Sequence, residues 1–409
     1  MKVLFVCYGG GHIAMVLPVI RALRKQQPDV VITLIALTTA RAAACAAGER
    51  ALGYADLKHL TDAEFTEQWG PRLAAGNTHP AVSPDETNAY MGVNFWDLVQ
   101  QHGMDQALEL HRQAGRYSFH PIHFFRRVLA HFQPDVVVAT NSPRSEQAAL
   151  EAAMEQGVPT MSMLDLFAMD YDPYLKRERH ADCITVMLPL VRENLVAAGV
   201  DRDRVVVTGN PAFDGLFDRK QKQAAQELRH HLGWDNLKVV LWAGIVERLP
   251  SPAEKILAGT SFAEAVEAIL RRWCAQRDDV ALLLRYHPNE AHLFLSDRLQ
   301  SRVYVSRPLQ DALHPQILAS DALVVTGSTV GVEAAVARVP VLSLESSGSS
   351  GVLSYAQMGI SQGVNRLSEL AADLDRALWE PKRLEAVLQP GPAAPHIAQE
   401  IRRLAARRA

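Results

Sequence analysis

The sequence predicts an α/β protein in which two doubly wound parallel sheets form separate domains. Its 409 residues are too many for one ordinary hydrophobic core and suit two domains of about 200 residues each. In both halves, short apolar runs rich in β-branched residues alternate with stretches of helical periodicity. The runs lack polar–apolar alternation, which is typical of parallel strands buried on both faces.

The N-terminal half opens with a strand, a glycine turn, a helix and a second strand, the first unit of a doubly wound sheet. The first strand is predicted over Lys2–Cys7 and the second over Val30–Leu37. About 52–115 is less regular and is interpreted as connecting segments and helices that line the ligand cleft. Further strands are predicted at 135–140, 158–163, 183–187 and 205–208, with helices at 122–132, 145–156 and 189–198.

The C-terminal half repeats this architecture without repeating the sequence. The turn Gly209-Asn210-Pro211 marks the predicted junction, which gives domains 1–210 and 211–390. A breaker at Gln389–Pro392 precedes a last helix, which is predicted over His396–Arg407 in the C-terminal segment 391–409. Strands are predicted at 239–242, 280–286, 303–305, 322–326 and 339–344, with helices at 261–276 and 329–337.

Composition excludes several classes of function. A formal net charge of -3 gives no electrostatic basis for binding nucleic acid. The four cysteines are far apart, which argues against a disulfide framework or a cysteine zinc site and fits a reducing compartment. Histidines near position 120 have irregular spacing, so no metal site is predicted. With no signal peptide and no long apolar stretch, the predicted location is the cytoplasm, with the inner membrane face as a peripheral alternative.

Gly9-Gly10-Gly11 is predicted to let backbone N–H groups approach an anionic ligand where a strand ends and a helix begins. The pattern GxGxxG is not met because its third glycine is missing, which excludes a dinucleotide dehydrogenase of that type. His12 follows at the carboxyl edge of the sheet, where α/β enzymes place their chemistry. It could act as a general base or merely cap the helix and contact a phosphate, and the pattern favours neither.

The C-terminal half carries a second group of polar residues after predicted strands. Thr326-Gly327-Ser328-Thr329 begins a helix and offers a diphosphate cradle, and Glu333 lies one turn further, where it could accept ribose hydroxyls. Helix capping is the alternative for the two hydroxyls, but the ligand interpretation is favoured. Arg285 and His287 end a buried strand and could bind phosphate. Glu345 begins a polar loop, 345–351, which could contact the donor sugar or be a mobile surface loop.

Residues Gly9–His12 with the following helix resemble the first loop and helix of GT-B glycosyltransferases of the MurG and UDP-glucuronosyltransferase kinds. The resemblance implies two Rossmann-like domains facing a cleft, a C-terminal helix packing back on the N-terminal domain, and no bound metal. In many of these enzymes the histidine is the base, and in some an aspartate orients it. The corresponding stretch here, Thr140-Asn141-Ser142, has no carboxylate, and Asp165 is the nearest substitute.

The stretch from Ala181 to Asp214 resembles non-hydrolysing UDP-N-acetylglucosamine 2-epimerases, including its Gly209-Asn210-Pro211 turn. The features specific to their reaction differ. Their early Arg-Pro-Glu is replaced by Gly10–His12, and their Gly-Asp-Thr is replaced by Asn141-Ser142-Pro143. The acid–base set for moving a sugar C2 proton is therefore missing from the expected positions, which argues against epimerase activity.

The sequence therefore predicts a metal-independent GT-B glycosyltransferase that moves a sugar from a nucleotide-sugar donor to an acceptor hydroxyl, with His12 and Asp165 as catalytic residues. The N-terminal domain would bind the acceptor, which could be a glycan, a lipid or a small molecule. UDP is the expected nucleotide, with CMP, CDP or dTDP as alternatives, and a homodimer is left open. The alternative functions are a nucleotide-sugar 2-epimerase or hydrolase, or a non-catalytic binding protein. The predicted donor-binding residues are Gly10, Gly11, Gly209, Asn210, Arg285, His287, Thr326, Gly327, Ser328, Thr329, Glu333 and Glu345.

Overall fold

Two parallel six-stranded sheets organise the chain, each within its own compact unit. The computed structural model describes residues 1–76, 82–245, 261–287, 300–308, 310–348, 354–380 and 391–407. The first unit comprises Met1–Asp214 and Pro392–Ala409, and the second comprises Gly215–Gly391.

The sheet of the first unit has the strand order β2-β1-β3-β4-β5-β6, and all of its pairings are parallel. Its central strands are buried on both faces, as the continuous apolar runs predict. The strands are β1 Lys2–Tyr8, β2 Val31–Leu37, β3 Val136–Ala139, β4 Thr160–Met163, β5 Cys183–Val186 and β6 Val205–Val207.

Helices cover both faces of this sheet. A buried cluster that includes Phe5, Val16 and Ile20 lies on one face, and a second cluster that includes Phe124 and Leu150 lies on the other. The helices are α1 Gly9–Gln26, α2 Thr39–Ala46, α3 Tyr54–Leu57, α4 Ala63–Ala74, α5 Pro84–His102, α6 Met104–Ala114, α7 Ile122–Phe132, α8 Ser145–Glu155 and α9 Pro189–Ala197.

Helices α3 to α6 account for most of the segment that the sequence left irregular. Helices α4 and α5 approach each other closely through glycines. A Cβ on Gly70 would lie 2.4 Å from the carbonyl oxygen of Asn88, and one on Gly92 would lie 2.5 Å from that of Thr66. Because these helices pack on each other as well as on the sheet, their apolar residues do not form the single stripe that sequence periodicity detects.

The sheet of the second unit has the order β12-β11-β10-β7-β8-β9 and is also parallel. Trp242 and Leu282 lie in its core beneath helices. The strands are β7 Lys238–Gly244, β8 Val280–Tyr286, β9 Val303–Val305, β10 Ala322–Val325, β11 Val341–Leu344 and β12 Gln362–Val364. The helices are α10 Arg219–His231, α11 Phe262–Ala275, α12 Leu313–Leu318, α13 Val330–Val336 and α14 Leu370–Trp379.

The C-terminal helix, α15 Ala394–Ala406, packs on α1 of the first unit, which confirms the expected return of the chain. Ile397 and Ile401 are fully buried in the same cluster as residues of α1. The carboxylate of Asp214 accepts the backbone N–H groups of Ala393 and Ala394 at 2.6 and 2.8 Å, which fixes the start of the helix. The breaker at Gln389–Pro390 lies outside the described residues. None of the described helices combines the length and apolarity that a membrane span requires.

Candidate functional site

His12 lies in the first turn of α1, directly after the central strand β1. Gly9 has a φ of +82°, a conformation that favours glycine, and this allows the strand to pass straight into the helix. Gly10 and Gly11 are different. A Cβ on Gly10 would come no closer than 3.9 Å to another group, and one on Gly11 would meet nothing within 4 Å. Packing therefore does not explain why these two positions are glycine.

The imidazole of His12 lies between two carboxylates. Its Nδ1 is 3.1 Å from Oε1 of Glu146, and its Nε2 is 3.4 Å from Oδ2 of Asp165. The hydroxyl of Thr140 is 2.8 Å from Nδ1 and donates to Glu146. We call His12, Thr140, Glu146 and Asp165 the His12 group. The carboxylate of Glu146 is fully buried, whereas the side chain of Asp165 is 28% exposed, so only Asp165 is open to a ligand from outside.

Glu146 is not among the site residues predicted from the sequence, because the carboxylate was expected directly after β3. The carboxylate comes instead from the first turn of α8 and reaches back to the loop. One of its oxygens accepts the hydroxyl of Thr140, and the other accepts the backbone N–H of Ser142. The loop thus folds around the carboxylate. The available signal was an acidic residue in the first turn of the helix after the strand. Acidic residues are common there in any helix, however, because they interact favourably with the helix dipole.

The two carboxylates control the protonation of His12. Burial alone would lower the pKa of His12, but hydrogen bonds and charges from Asp165 and Glu146 outweigh burial and raise the pKa to about 10. The imidazole therefore carries a proton at neutral pH when no ligand is bound. Both ring nitrogens are then donors, which matches an acceptor oxygen on each side.

Arg177 holds the loop of the His12 group from behind. Its guanidinium donates to the carbonyl oxygens of Asn141 and Ser142 at 2.7 and 3.2 Å and lies 4.4 Å from the ring centroid of Tyr174. Burial lowers its pKa. Within the described part of the chain, Oδ1 of Asp165 is buried and has no hydrogen-bond partner. That oxygen is the part of the group with unused bonding capacity.

In the second unit, the loop Thr326–Thr329 connects β10 to α13 as the sequence predicts. The hydroxyl of Tyr355 donates to the carbonyl oxygen of Ser328 at 2.9 Å, and the Tyr355 ring packs so closely on α13 that a Cβ on Gly331 would lie 2.8 Å from it. Oγ1 of Thr326 is buried and finds no partner among the residues that the structure describes. We call 326–333, which is this loop together with the first turn of α13, the Thr326 loop.

Glu333 is buried at the end of the Thr326 loop and pairs with a histidine that the sequence analysis did not single out. Its Oε2 is 3.2 Å from Nε2 of His314, which belongs to the short helix α12. Gly215 makes room for this histidine, since a Cβ there would lie 2.5 Å from its Nδ1. No periodicity or motif marks His314, because its role depends on the packing of α12 beside α13.

The remaining predicted donor-binding residues of the second unit contact other parts of the protein. Arg285 donates to the hydroxyl of Ser306 and to the carbonyl oxygen of Asp311, both at 2.9 Å, and burial lowers its pKa. Glu345 accepts the hydroxyl of Ser343. His287 is exposed at the end of β8. Pro288 and the end of the polar loop, 349–351, lie outside the described residues. Ligand roles for Arg285, His287 and Glu345 stay predictions.

Gly209 and Asn210 form a turn after β6, in the first unit. Gly209 has a φ of +88°, and Oδ1 of Asn210 accepts the backbone N–H of Ala212 at 2.9 Å. These contacts explain the turn by itself, so a ligand role for either residue also stays a prediction.

A family model described as UDP-N-acetylglucosamine 2-epimerase matches residues 177–402, more than half of the chain. This chain belongs to the UDP-N-acetylglucosamine 2-epimerase family. The resemblance predicted from the stretch around Gly209 is thereby confirmed. No curated protein has a significantly similar sequence.

Several solved structures have a fold similar to that of this chain. The Neisseria meningitidis UDP-GlcNAc 2-epimerase bound to UDP-GlcNAc is 16% identical, with a TM-score of 0.62 over 98% of this chain and 100% of that one. The Methanocaldococcus jannaschii UDP-GlcNAc 2-epimerase is 13% identical, with a TM-score of 0.60 over 98% and 100%. The wall teichoic acid polymerase TagF is 13% identical, with a TM-score of 0.55 over 99% and 89%. At these low identities the structural similarity shows the fold alone, and that fold is the predicted GT-B-like one.

The family match favours the epimerase alternative of the sequence analysis over its main prediction of a glycosyltransferase. The matched region contains the Thr326 loop, whereas all four residues of the His12 group precede it. Among the described residues, no group of three or more His, Cys, Asp or Glu is arranged to hold a metal ion.

Proposed function

We propose that this family member acts on a UDP-linked N-acetylamino sugar and inverts the configuration at C2 of the sugar. Inversion breaks the C2–H bond on one face of the sugar, with the electron pair expelling UDP from the neighbouring C1, and forms a C2–H bond on the other face as UDP adds back to C1. The reaction therefore needs groups that accept and donate protons. The observation that carries the proposal is the His12 group, in which one imidazole lies between two carboxylates. Together with the family match, it supports an acid–base set at positions other than those where the sequence analysis looked for one.

The three ionisable residues take different roles in this proposal. Because the pKa of His12 is raised to about 10, its imidazolium is the proton donor. Asp165 is the proton acceptor, since it is the more exposed of the two carboxylates beside His12. Glu146 is buried and orients His12. This assignment differs from the base role that the sequence analysis considered for His12.

The Thr326 loop is proposed to bind the nucleotide part of the substrate. The buried hydroxyl of Thr326 has no partner among the described residues and can donate to a diphosphate oxygen, and the hydroxyls of Ser328 and Thr329 follow it in sequence. Glu333 would accept hydrogen bonds from the ribose hydroxyls, with His314 fixing the position of its carboxylate. The ordinary charge-assisted hydrogen bond contributes about 1.5–3 kcal/mol, so losing Glu333 would weaken binding measurably.

The decisive experiment is incubation of the protein with UDP-GlcNAc in D₂O, followed by NMR. Inversion at C2 predicts UDP-N-acetylmannosamine and deuterium at C2, because the new hydrogen comes from solvent-exchanged groups. Asp165→Asn is expected to abolish deuterium incorporation while UDP still binds. Asp170→Asn is the matched control, since Asp170 is exposed in the same loop. Release of UDP without deuterium at C2 would contradict the epimerase proposal.

Glycosyl transfer is the second candidate, and one observation favours it specifically. The contact between His12 and Glu146 is a histidine–carboxylate dyad behind a glycine-rich turn, the arrangement that the GT-B resemblance led us to look for. Glu146 supplies the carboxylate that is missing from 140–142. In the same experiment, transfer predicts UDP release that depends on an added acceptor, with the C2 hydrogen retained.

A further inference from the structure

Arg144, in the loop before α8, has a backbone conformation that arginine normally avoids. Its φ is +70° and its ψ is -111°, a region of backbone conformation that is favourable only for glycine. A residue other than glycine that is held in such a strained conformation is a candidate for a functional side chain. The next question is what its guanidinium contacts.

The guanidinium of Arg144 lies over two tyrosine rings. Its Cζ is 5.6 Å from the ring centroid of Tyr8 and 5.8 Å from that of Tyr117. No ion pair or hydrogen bond to its side chain is formed by the described residues. Arg126 and Arg41 of the first unit differ in this respect, since Arg126 pairs with Glu155 and Arg41 pairs with Asp56. Arg144 is thus a cation held by aromatic faces with its hydrogen-bonding groups unused.

These residues belong to the same edge of the sheet as the His12 group. Tyr8 ends β1 immediately before Gly9, and Arg144 precedes Glu146 in the same loop. The side chain of Tyr117 is 88% exposed, which leaves its ring face available to a ligand. The nearby carboxylates do not neutralise Arg144, because Glu146 and Asp165 both face His12.

We propose that Tyr8, Tyr117 and Arg144 form a binding site for an anionic saccharide, a pyranose that carries a carboxylate or a phosphate. The planar guanidinium matches either oxyanion through two parallel hydrogen bonds. The tyrosines offer flat apolar faces with a polar rim, to which the C–H face of a sugar ring packs. The site does not depend on the reaction of the His12 group. In a transferase it would select an anionic acceptor, and in an epimerase it would bind a second ligand.

Direct titration of the full-length protein with three sugars tests the ligand class. Methyl glucuronide carries the carboxylate, glucose 6-phosphate carries the phosphate, and methyl glucoside is the neutral control. We expect at least one anionic sugar to bind about tenfold or more tightly than methyl glucoside, as the loss of a charge-assisted contact implies. The stronger of the two anions identifies the source of the oxyanion. If neither anion binds more tightly than methyl glucoside, the proposal is wrong.

Arg144→Gly separates a ligand-binding role from a structural one. Glycine relieves the strained φ, so the Tm should be unchanged or rise by up to about 3 °C. Affinity for the anionic sugar should fall by about 10- to 100-fold. Gln133→Gly is the matched control, because Gln133 also has a positive φ of +48° but lies after α7, and it should leave the affinity unchanged.

Tyr117→Ala provides a test that does not depend on the backbone of Arg144. The ring is almost fully exposed, so its removal should leave the fold intact and weaken the anionic sugar several-fold. Unchanged affinity in both Arg144→Gly and Tyr117→Ala would overturn the site. A fall in Tm of several degrees in Arg144→Gly would also overturn it, since Arg144 would then be a structural residue.

Discussion

The His12 group of the first unit and the Thr326 loop of the second use polar residues in opposite ways. In the His12 group, ionisable side chains pair with one another, and Oδ1 of Asp165 is the one side-chain oxygen of the group without a partner in the described part of the chain. The Thr326 loop consists mainly of uncharged hydroxyl groups and glycine, and the buried hydroxyl of Thr326 has no partner within the described residues. Ionisable side chains that bond to each other fix one another's protonation states, whereas a donor without a protein partner is available to a ligand.

This difference matches the two roles proposed above, proton transfer for the His12 group and nucleotide binding for the Thr326 loop. Pairing with Asp165 and Glu146 raises the pKa of His12 to about 10, so His12 holds a proton that it can give to a substrate, whereas the hydroxyls of the Thr326 loop can only form hydrogen bonds. An unmatched hydroxyl costs free energy when buried, and a ligand oxygen recovers it. Substitutions in the His12 group should therefore impair turnover, whereas substitutions in the Thr326 loop should impair nucleotide binding.

Glu146→Gln should have the largest effect, because it removes a fully buried charge that three donors surround. We expect turnover to fall by about 100-fold or more, as for the loss of an acid–base partner. The free energy of unfolding should fall by about 2–3 kcal/mol, since hydrogen bonds to a buried charge are lost. NMR turnover assays and urea unfolding measure the two effects.

Glu155→Gln is the control for this substitution, because Glu155 lies on the same helix in a partly exposed pair with Arg126. Exposed pairs contribute less than about 1 kcal/mol, so stability and turnover should change little. Equal losses in the two variants would mean that Glu146 is only one more helix carboxylate.

Glu333→Gln tests the other side of the comparison. We expect the affinity for UDP to fall by about 10- to 100-fold, which corresponds to the loss of charge-assisted hydrogen bonds to the ribose. Isothermal titration calorimetry measures it. His12→Gln is the matched variant from the first unit and should leave UDP affinity nearly unchanged. If His12→Gln weakens UDP as much as Glu333→Gln does, the proposed division of roles is wrong.

Sequence patterns were sufficient for the fold because parallel strands buried on both faces leave unbroken apolar runs, and β1, β3, β7, β8 and β10 all follow this pattern. The short edge strand β12, Gln362–Val364, contains a glycine and too few residues to leave such a signal. Helices α4 and α5 were left without bounds because they bury their apolar residues largely against each other.

The candidate site could be anticipated only where one segment supplies several of its groups. The Thr326 loop is such a segment, with hydroxyls, glycine and Glu333 close together in sequence. Glu146 and His314 could not be assigned in this way, because each meets its partner through tertiary packing across many residues. Arg285 shows the converse. Its place at the end of a buried strand predicts a phosphate ligand, but in the structure its guanidinium donates to Ser306 and to a backbone carbonyl oxygen.

The raised pKa of His12 predicts a pH dependence that the Thr326 loop does not share. A group whose pKa is higher in the folded than in the unfolded state adds stability below its unfolded pKa and loses that contribution as pH rises through the folded pKa. For His12 the loss falls between about pH 6.5 and about 10. It has a limiting slope of about 1.4 kcal/mol per pH unit for one proton.

His12→Gln isolates this contribution from other groups that titrate at high pH. Urea unfolding of the first unit at pH 6.5, 8 and 9.5 should show a steeper loss of stability for the wild-type protein than for the variant. Parallel curves would indicate that the two carboxylates do not hold a proton on His12.

The smallest effects are expected at Gly9 and Gly11, and they decide what the glycine turn is for. Gly9→Ala places a Cβ on a residue with a φ of +82° and should lower the free energy of unfolding by about 1 kcal/mol. Gly11→Ala places a Cβ in open space on a helix, where the stability should change by less than about 0.5 kcal/mol. Unfolding therefore reports on Gly9 alone. Substrate turnover reports on Gly11, because a methyl group that meets no protein atom can impair the reaction only by meeting a ligand. A Gly11→Ala protein with wild-type stability and reduced turnover would extend the site from the ionisable side chains to the backbone of α1. Full turnover would confine the chemistry of the first unit to the His12 group.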